Sequence, residues 1–366
     1  MSLTAGIVGL PNVGKSTLFN AITKNQILTA NYPFATIDPN LGIVTVPDKR
    51  LDKLNKIYNP IEVIPTTFEF TDIAGLVKGA SLGEGLGNKF LSHIREVDAI
   101  CHVVRCFVDD SIIHVEKDVN PTRDIEIINL ELILSDLEII DNRIEKLAKK
   151  AATKEKTAIL EYNTLLKAKL NLEKNIPLRR VTYTNEEYKV MKSFNFLTLK
   201  PMIYVANISE EKIKEEDDKY INIVKKYAIE DNAEVVVISA KIESELSELE
   251  EEDKRLYLNE IGLIESGLDQ LIKATYSLLE LQTFFTAGPK EVRAWTFKKG
   301  MTAKECAGII HSDFERGFIR METISYEDIL KYGSEKEVKE NGRMRLEGKE
   351  YKLRDGDICH FRFNVT

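Results

Sequence analysis

An α/β fold on a doubly wound, mostly parallel sheet, interrupted by a helical hairpin and followed by a small α+β domain, is what this 366-residue sequence predicts. Three observations carry the prediction. Near-continuous apolar and β-branched runs alternate with helical patterns up to about residue 121 and again from about 200, as strands buried on both faces of a parallel sheet require. A long a/d-type seam lies between those two stretches. Beyond residue 283 the strand candidates become shorter and surround a helix.

Taken in order, residues 5–8 (AGIV) read as a first strand and 17–22 (TLFNAI) as an apolar-periodic helix. Further buried strands are predicted at 66–70 leading into Asp72, at 99–104, at 202–206 and at 235–238. The seam runs through Leu130, Ile133, Leu137, Ile140, Ile144 and Leu147, spaced alternately three and four. A second helical stretch through Ile159, Tyr162, Leu166 and Leu170 stops near Pro177, so the two pair most simply as an antiparallel hairpin inserted in the α/β domain. Thr184-Asn185-Glu186-Glu187 has the capping-box form and predicts a helix start. The acidic run from Glu243 to Asp253 reads as a solvated loop or helix face. In the last part, strands are expected at 292–297, 317–320 and 358–363 around a helix at 303–310. The expected domains are therefore 1–121 with 200–282, the insertion 122–199, and 283–366. No internal repeats are visible.

Composition narrows the class. With 43% hydrophobic and 30% charged residues the chain can bury a real core, yet no run approaches the roughly eighteen apolar residues of a membrane span. The N-terminus leads directly into a strand without a leader pattern, so a cytoplasmic protein is expected. Cys101, Cys106, Cys306 and Cys359 lie in apolar runs without C-x-x-C spacing and read as buried free thiols. The net charge of −8 is uneven: residues 143–180 hold eleven Lys/Arg against four Asp/Glu, most of the excess lying at Lys146, Lys149, Lys150, Lys154 and Lys156 around the hairpin turn. A solvated helical face and a local phosphate-binding surface both fit that pattern.

Residues 9–16 read GLPNVGKS, a G-x-x-x-x-G-K-[ST] loop between the first strand and the first helix. Backbone N–H groups from Asn12 to Thr17, gathered at a helix N-terminus, form an anion nest; Lys15 reaches the β/γ-phosphates and the Ser16 hydroxyl binds Mg²⁺. This predicts a nucleoside triphosphate site. Asp72-Ile73-Ala74-Gly75 ends an apolar strand, which brings an acidic side chain to the sheet's carboxyl edge as a further Mg²⁺ group and offers the Gly75 N–H to the γ-phosphate. Thr36, between loop and Asp72, is the candidate second hydroxyl ligand.

These motifs, with residues 31–40, 72–80 and 83–87, resemble the Obg-type branch of translation-factor P-loop NTPases, and within it the Obg-like ribosome-binding ATPases. The resemblance covers essentially the whole chain. It implies a coiled-coil insertion and a C-terminal TGS domain of β-grasp fold, carried here by residues 288–296 and 311–319. It further implies ATP hydrolysis with Mg²⁺, contacts with ribosomal RNA and protein, and a monomer without DNA as a partner.

Where a G protein carries Asn-Lys-x-Asp, this chain has Asn207-Ile208-Ser209-Glu210. Glu210 is one methylene too long for the bidentate guanine contact, Ile208 removes the covering lysine, and Asn207 matches adenine N7 and N6. ATP is favoured, and Ser239-Ala240-Lys241 resembles the loop over the base. Leu76 stands where many GTPases carry the glutamine that orients water. The resemblance points instead to His114, with Lys15 as the other catalytic residue, and to Asn12 as a residue that helps hold K⁺ near the phosphates. Two alternatives stay open: a GTPase of ribosome assembly, and a nucleotide-gated RNA- or protein-binding module with negligible turnover.

Overall fold

The computed structural model describes residues 3–24, 40–73, 86–109, 111–112, 115, 118–151, 155–215 and 217–364. In chain order the strands are β1 (Thr4–Val8), β2 (Leu41–Thr45), β3 (Glu62–Ile64), β4 (Thr67–Asp72), β5 (Ala99–Arg105), β6 (Met202–Asn207), β7 (Glu234–Ile238), β8 (Leu281–Ala287), β9 (Glu291–Lys298), β10 (Phe318–Ile324), β11 (Arg345–Glu347) and β12 (Ile358–Phe363). The helices used below are α1 (Lys15–Lys24), α2 (Lys49–Tyr58), α3 (Leu86–Glu96), α4 (Pro121–Ala151), α5 (Lys156–Leu172), α6 (Asn185–Lys192), α7 (Lys219–Asp231), α8 (Ala240–Leu246), α9 (Glu251–Glu260), α10 (Gly267–Leu278) and α11 (Ala303–Ile310). The chain forms two compact units, Met1–Val44 with Glu69–Thr275, and Thr45–Phe68 with Tyr276–Thr366.

The first unit is built on a sheet of order β2-β4-β1-β5-β6-β7, in which β4, β1, β5, β6 and β7 pair in parallel. Every residue of β5 and β6 is buried, which is why these segments carry no polar alternation. Helix α4 and α5 run antiparallel, with Arg143 paired to Glu161 at 2.7 Å and Asp141 to Lys169 at 2.6 Å. Ile133, Ile140 and Leu147 meet Leu165, Ala168 and Leu172 in one core cluster.

The apolar stripe on α5 differs from the expected one. Leu170 is 58% exposed and Ile159 also faces solvent, whereas Ala158, Leu165, Ala168 and Leu172 are buried. Two overlapping stripes exist on this helix, and the one containing alanines allows the closer approach to α4. Leu130 is exposed as well, because the first turns of α4 bury Ile125, Ile128 and Leu132 in contact with β5 and α7 and not along the seam. Asp136 anchors the hairpin's base: fully buried, it accepts from the N–H groups of Leu197 (3.0 Å) and Thr198 (2.8 Å) and from the Thr198 hydroxyl (2.7 Å). The predicted capping box at Thr184 opens α6, with both reciprocal bonds to Glu187 present.

Glu243 also departs from the sequence reading. It is 3% exposed, and its carboxylate accepts from the Gly267 N–H at 2.8 Å, tying α8 to the start of α10. The spacing of an acidic run does not reveal which member turns inward. Burial pushes the Glu243 carboxyl up to about 7. Because the folded value lies above the unfolded one, this group's contribution to stability is intact below about pH 4.5 and is lost as pH rises through 7. The wild-type chain should therefore lose roughly 2–4 kcal/mol between pH 5 and pH 8 through this group, a slope that Glu243→Gln should remove. Urea unfolding of both proteins at the two pH values measures it, and equal slopes would refute the assignment.

The second unit has a sheet of order β11-β10-β12-β8-β9-β3. Neighbours β8–β9, β10–β12 and β10–β11 are antiparallel, while β12–β8 and β3–β9 are parallel. One face packs Leu51 and Leu54 of α2 against Phe285, Val292, Ile324 and Ile358. The other packs Ala303 and Cys306 of α11 against Phe284, Phe297, Met321 and Cys359. The division drawn from sequence starts this unit at 283, whereas Glu62–Ile64 pairs beside Glu291, Val292 and Arg293. All four cysteines are buried and free, and no metal-ligand cluster is present among the described residues. Among the described residues no helix is long and apolar enough to cross a membrane.

Candidate functional site

The site forms where β1, β4 and β6 end together. In register, Ile7 of β1 stands beside Asp72 of β4, and Asn207 of β6 beside Ile238 of β7. The loop after β1 passes so near β5 that a Cβ on Gly9 would lie 2.9 Å from the Val103 carbonyl oxygen. Asn12 and Gly14 adopt left-handed conformations, φ +62° and +93°, which turn the intervening backbone into a concave cradle. The Leu18 N–H then bonds the Gly14 carbonyl at 3.0 Å, and α1 begins.

Lys15 is only 8% exposed and its ammonium pairs with the Asp72 carboxylate. The two charges expected on phosphate and on Mg²⁺ thus lie together. Ser16 and Thr17, on the first turn of α1, are exposed. Ser16 and Asp72 contribute hard oxygen donors of the type Mg²⁺ takes.

Asn207, the residue expected at the base, has its side chain engaged on two sides. Its Nδ2 donates to the Val13 carbonyl at 2.8 Å, its Oδ1 accepts from the Ala240 N–H at 2.9 Å, and the residue is 4% exposed. One side chain joins the phosphate loop to the start of α8. Of the edge assigned to adenine, one N–H and one lone pair remain after these two bonds. Ile208 is buried at 3% exposure, its N–H bonded to the Ile238 carbonyl at 2.8 Å. Glu210 pairs with Lys241 at 2.7 Å, a role for Lys241 that sequence reasoning missed, since 31 residues separate the two. Ser239 is 1% exposed, and its hydroxyl has no partner among the described residues. Thr36, Gly75, Leu76 and His114 lie outside the described residues.

A cradle of main-chain N–H groups closed on a helix N-terminus, with its lysine held by the acidic end of a neighbouring parallel strand, defines a P-loop NTPase. The comparisons agree with that class. A family profile described as 50S ribosome-binding GTPase matches residues 4–164, and one for the C-terminal part of YchF GTPases, described as a protein of unknown function, matches residues 281–364. Over the full length of both chains the protein is 62% identical to the ribosome-binding ATPase YchF of Bacillus subtilis (strain 168) and 52% identical to that of Escherichia coli O157:H7. The structure of the Schizosaccharomyces pombe YchF GTPase superposes with a TM-score of 0.90 at 41% identity, covering 99% of this chain and 98% of that one. The chain belongs to the YchF family.

Proposed function

We propose that this protein is a cytoplasmic, monomeric Mg²⁺-dependent ATPase that hydrolyses ATP to ADP and phosphate and acts as a nucleotide switch on the ribosome. The observation that carries the ATP assignment is the base side of the site: Ile208 is buried where a G protein has its lysine, and Glu210 is already paired with Lys241. The pair turns Glu210 Oε1 toward Lys241, and the longer Glu210 side chain does not reproduce the bidentate contact that an aspartate makes to guanine N1–H and the 2-amino group. The full-length bacterial relatives are ribosome-binding ATPases by name, which supports the same reading. A GTPase is the second reading, favoured by the family profile over residues 4–164 and by the name of the S. pombe protein.

In the ATPase reading, main-chain N–H groups of residues 12–17 bind the phosphates, and Lys15 leaves Asp72 to neutralise the β/γ oxygens. Ser16, Thr36 and Asp72 would hold Mg²⁺, which supplies further neutralisation of the triphosphate. Gly75 donates its N–H to the γ-phosphate. Asn207, Ile208, Glu210, Ser239 and Ala240 bound the base. His114 orients the attacking water or accepts its proton, the task for which Leu76 has no polar atom. Asn12 helps hold K⁺ beside the phosphates. The insertion 122–199 is read as a coiled coil, and 283–366, enlarged by the paired segment Thr45–Phe68, as a TGS domain of β-grasp type.

Equilibrium competition between ATP and GTP tests the base assignment. ATP should bind more tightly by about 1–3 kcal/mol, the worth of one good base contact. Tighter GTP binding would sink it. Exchanging Ile208 for Lys together with Glu210 for Asp should move selectivity toward GTP, although the buried position of Ile208 must then accept a lysine stem.

For the ribosome, five basic residues of the positive segment are already used in ion pairs: Arg143, Lys167, Lys169, Arg179 and Arg180. Near the hairpin turn, Lys146 and Lys156 are exposed. Replacing Lys146, Lys149, Lys150 and Lys154 with Ala should weaken ribosome co-sedimentation and flatten its log–log salt dependence by about 0.7–0.9 per lysine. Wild-type binding at every salt concentration would move the contact to another face.

A further inference from the structure

Glu243 is an acidic side chain turned into the core from the first turn of α8, and none of the phosphate, Mg²⁺ or base roles given above uses it. Its carboxylate accepts from the N–H groups of Gly267, at 2.8 Å, and of Leu268, two of the first donors of α10. Ser266 serves a third, accepting from the Asp269 N–H at 3.0 Å. The start of α10 is therefore capped from α8 as well as from its own loop. Leu268, Leu271 and Ile272 seat α10 in the core at 5% exposure or less, so Glu243 ties α8 to a fixed support.

Gly267 adds a second observation. A Cβ there would lie 2.9 Å from Ile238 Cγ1 and 3.0 Å from Glu243 Oε1, so the start of α10 meets the end of β7 and this carboxylate together. On its other side the same stretch is bonded to the end of β6: the Ile238 carbonyl accepts from the Ile208 N–H at 2.8 Å, and the Ala240 N–H donates to Asn207 Oδ1 at 2.9 Å. The Glu243 N–H closes the turn on the Ser239 carbonyl at 3.0 Å. Residues 238–240 are thus held between Asn207 and Ile208 on one side and Glu243 and Gly267 on the other. An apolar side chain at position 243 would fill the space at a lower desolvation cost, but it offers no acceptor to the two N–H groups and no directional hold.

We infer that Glu243 is a positioning residue for the purine: by fixing the first turn of α8 against the start of α10, it sets where residues 238–240 stand beside Asn207. The inference rests on the reading of Asn207, Ser239 and Ala240 as residues that bound the base. A residue acting in this way governs how the site holds the base and not how residues 9–16 hold phosphate. Inorganic triphosphate, which has no base, separates the two.

The test is the equilibrium affinity of the full-length protein for ATP and for triphosphate at one Mg²⁺ concentration, measured for wild type, Glu243→Leu, Glu243→Gln, Gly267→Ala and Asn207→Ala. Glu243→Leu should weaken ATP binding about three- to tenfold, the worth of one hydrogen bond lost at the base, with triphosphate affinity unchanged within about twofold. Glu243→Gln keeps one acceptor and loses the other, so its effect on ATP should fall between wild type and Glu243→Leu. Gly267→Ala crowds Ile238 and Glu243 and should shift ATP affinity in the same direction by a smaller factor. It keeps the inference testable if Glu243→Leu does not fold. Asn207→Ala should lower the preference for ATP over triphosphate, whatever it does to phosphate binding through Val13. Wild-type ATP affinity in Glu243→Leu, or in Gly267→Ala where Glu243→Leu is unfolded, together with a lowered preference in Asn207→Ala, overturns the role of Glu243 and leaves the reading of the base residues standing. Equal losses for ATP and triphosphate likewise reduce Glu243 to a structural part. An unchanged preference in Asn207→Ala overturns both.

Discussion

Lys15→Ala should lower ATP affinity about ten- to a hundredfold and reduce hydrolysis further still. A charge-assisted contact to phosphate is worth roughly 1.5–3 kcal/mol, and the same ammonium meets charge that builds up on the γ-phosphate as the bond breaks. The structure adds a second consequence. Lys15 is the ion-pair partner of Asp72, so its removal strands a carboxylate that is 22% exposed beside the place where phosphate binds. Without Mg²⁺, anion repulsion then adds to the lost attraction, and Lys15→Ala/Asp72→Asn should recover part of the affinity lost in Lys15→Ala; with Mg²⁺ the same double variant loses a group that would hold the ion and should recover none. Equilibrium titration with ATP in the presence and absence of Mg²⁺ checks both statements. Unchanged affinity in a folded Lys15→Ala protein would exclude the loop as the phosphate site.

Gly14→Ala should be nearly as damaging although it adds one methyl group. At φ +93° an L-residue is strained, and the new Cβ would lie 2.1 Å from Asn207 Nδ2. Asn207 must then move, giving up the bonds to Val13 and Ala240. Strain of about 1–2 kcal/mol and two lost hydrogen bonds at about 0.5–1.5 kcal/mol each place the loss at roughly 2–5 kcal/mol, spread over loop order and nucleotide binding. Affinity and Tm measured together would register it. Combining Gly14→Ala with Asn207→Ala removes the clash and leaves the backbone strain, so the pair should be less than additive. Full additivity would mean that Asn207 is not what the methyl group meets.

How much of this was readable beforehand depends on distance along the chain. The phosphate loop is contiguous, and its chemistry sits in eight adjacent residues. Strands predicted at 99–104 and 202–206 appear as β5 and β6 because burial on both faces writes itself into an unbroken apolar run, and the run at 235–238 appears as the edge strand β7, with Val236 and Ile238 buried and Val235 and Val237 half-buried. The helix at 303–310 and the Thr184 cap are equally local signals. By contrast, β3 is three residues long and pairs with residues 291–293, so nothing near it in the chain marks it as a strand. The inward turn of Glu243, the outward turn of Leu130 and Leu170, and the use of the Asn207 amide by Val13 and Ala240 all depend on partners brought in by the fold.

The pairing of Thr45–Phe68 with Tyr276–Thr366 also sets a timetable for synthesis. Leu51 and Leu54 are made early, yet the cluster they enter is completed by Phe285, Val292, Ile324 and Ile358, some 230 residues or more further on. At about 5–20 residues per second the apolar side of α2 waits roughly 10–60 s for its partners while the chain emerges. During that wait it is a sticky surface on a growing polypeptide, and a chain stopped near residue 282 would keep it uncovered indefinitely. Removing the C-terminal portion by ending the gene early is therefore not a clean deletion, because α2 and β3 would be left as orphans inside the part that remains.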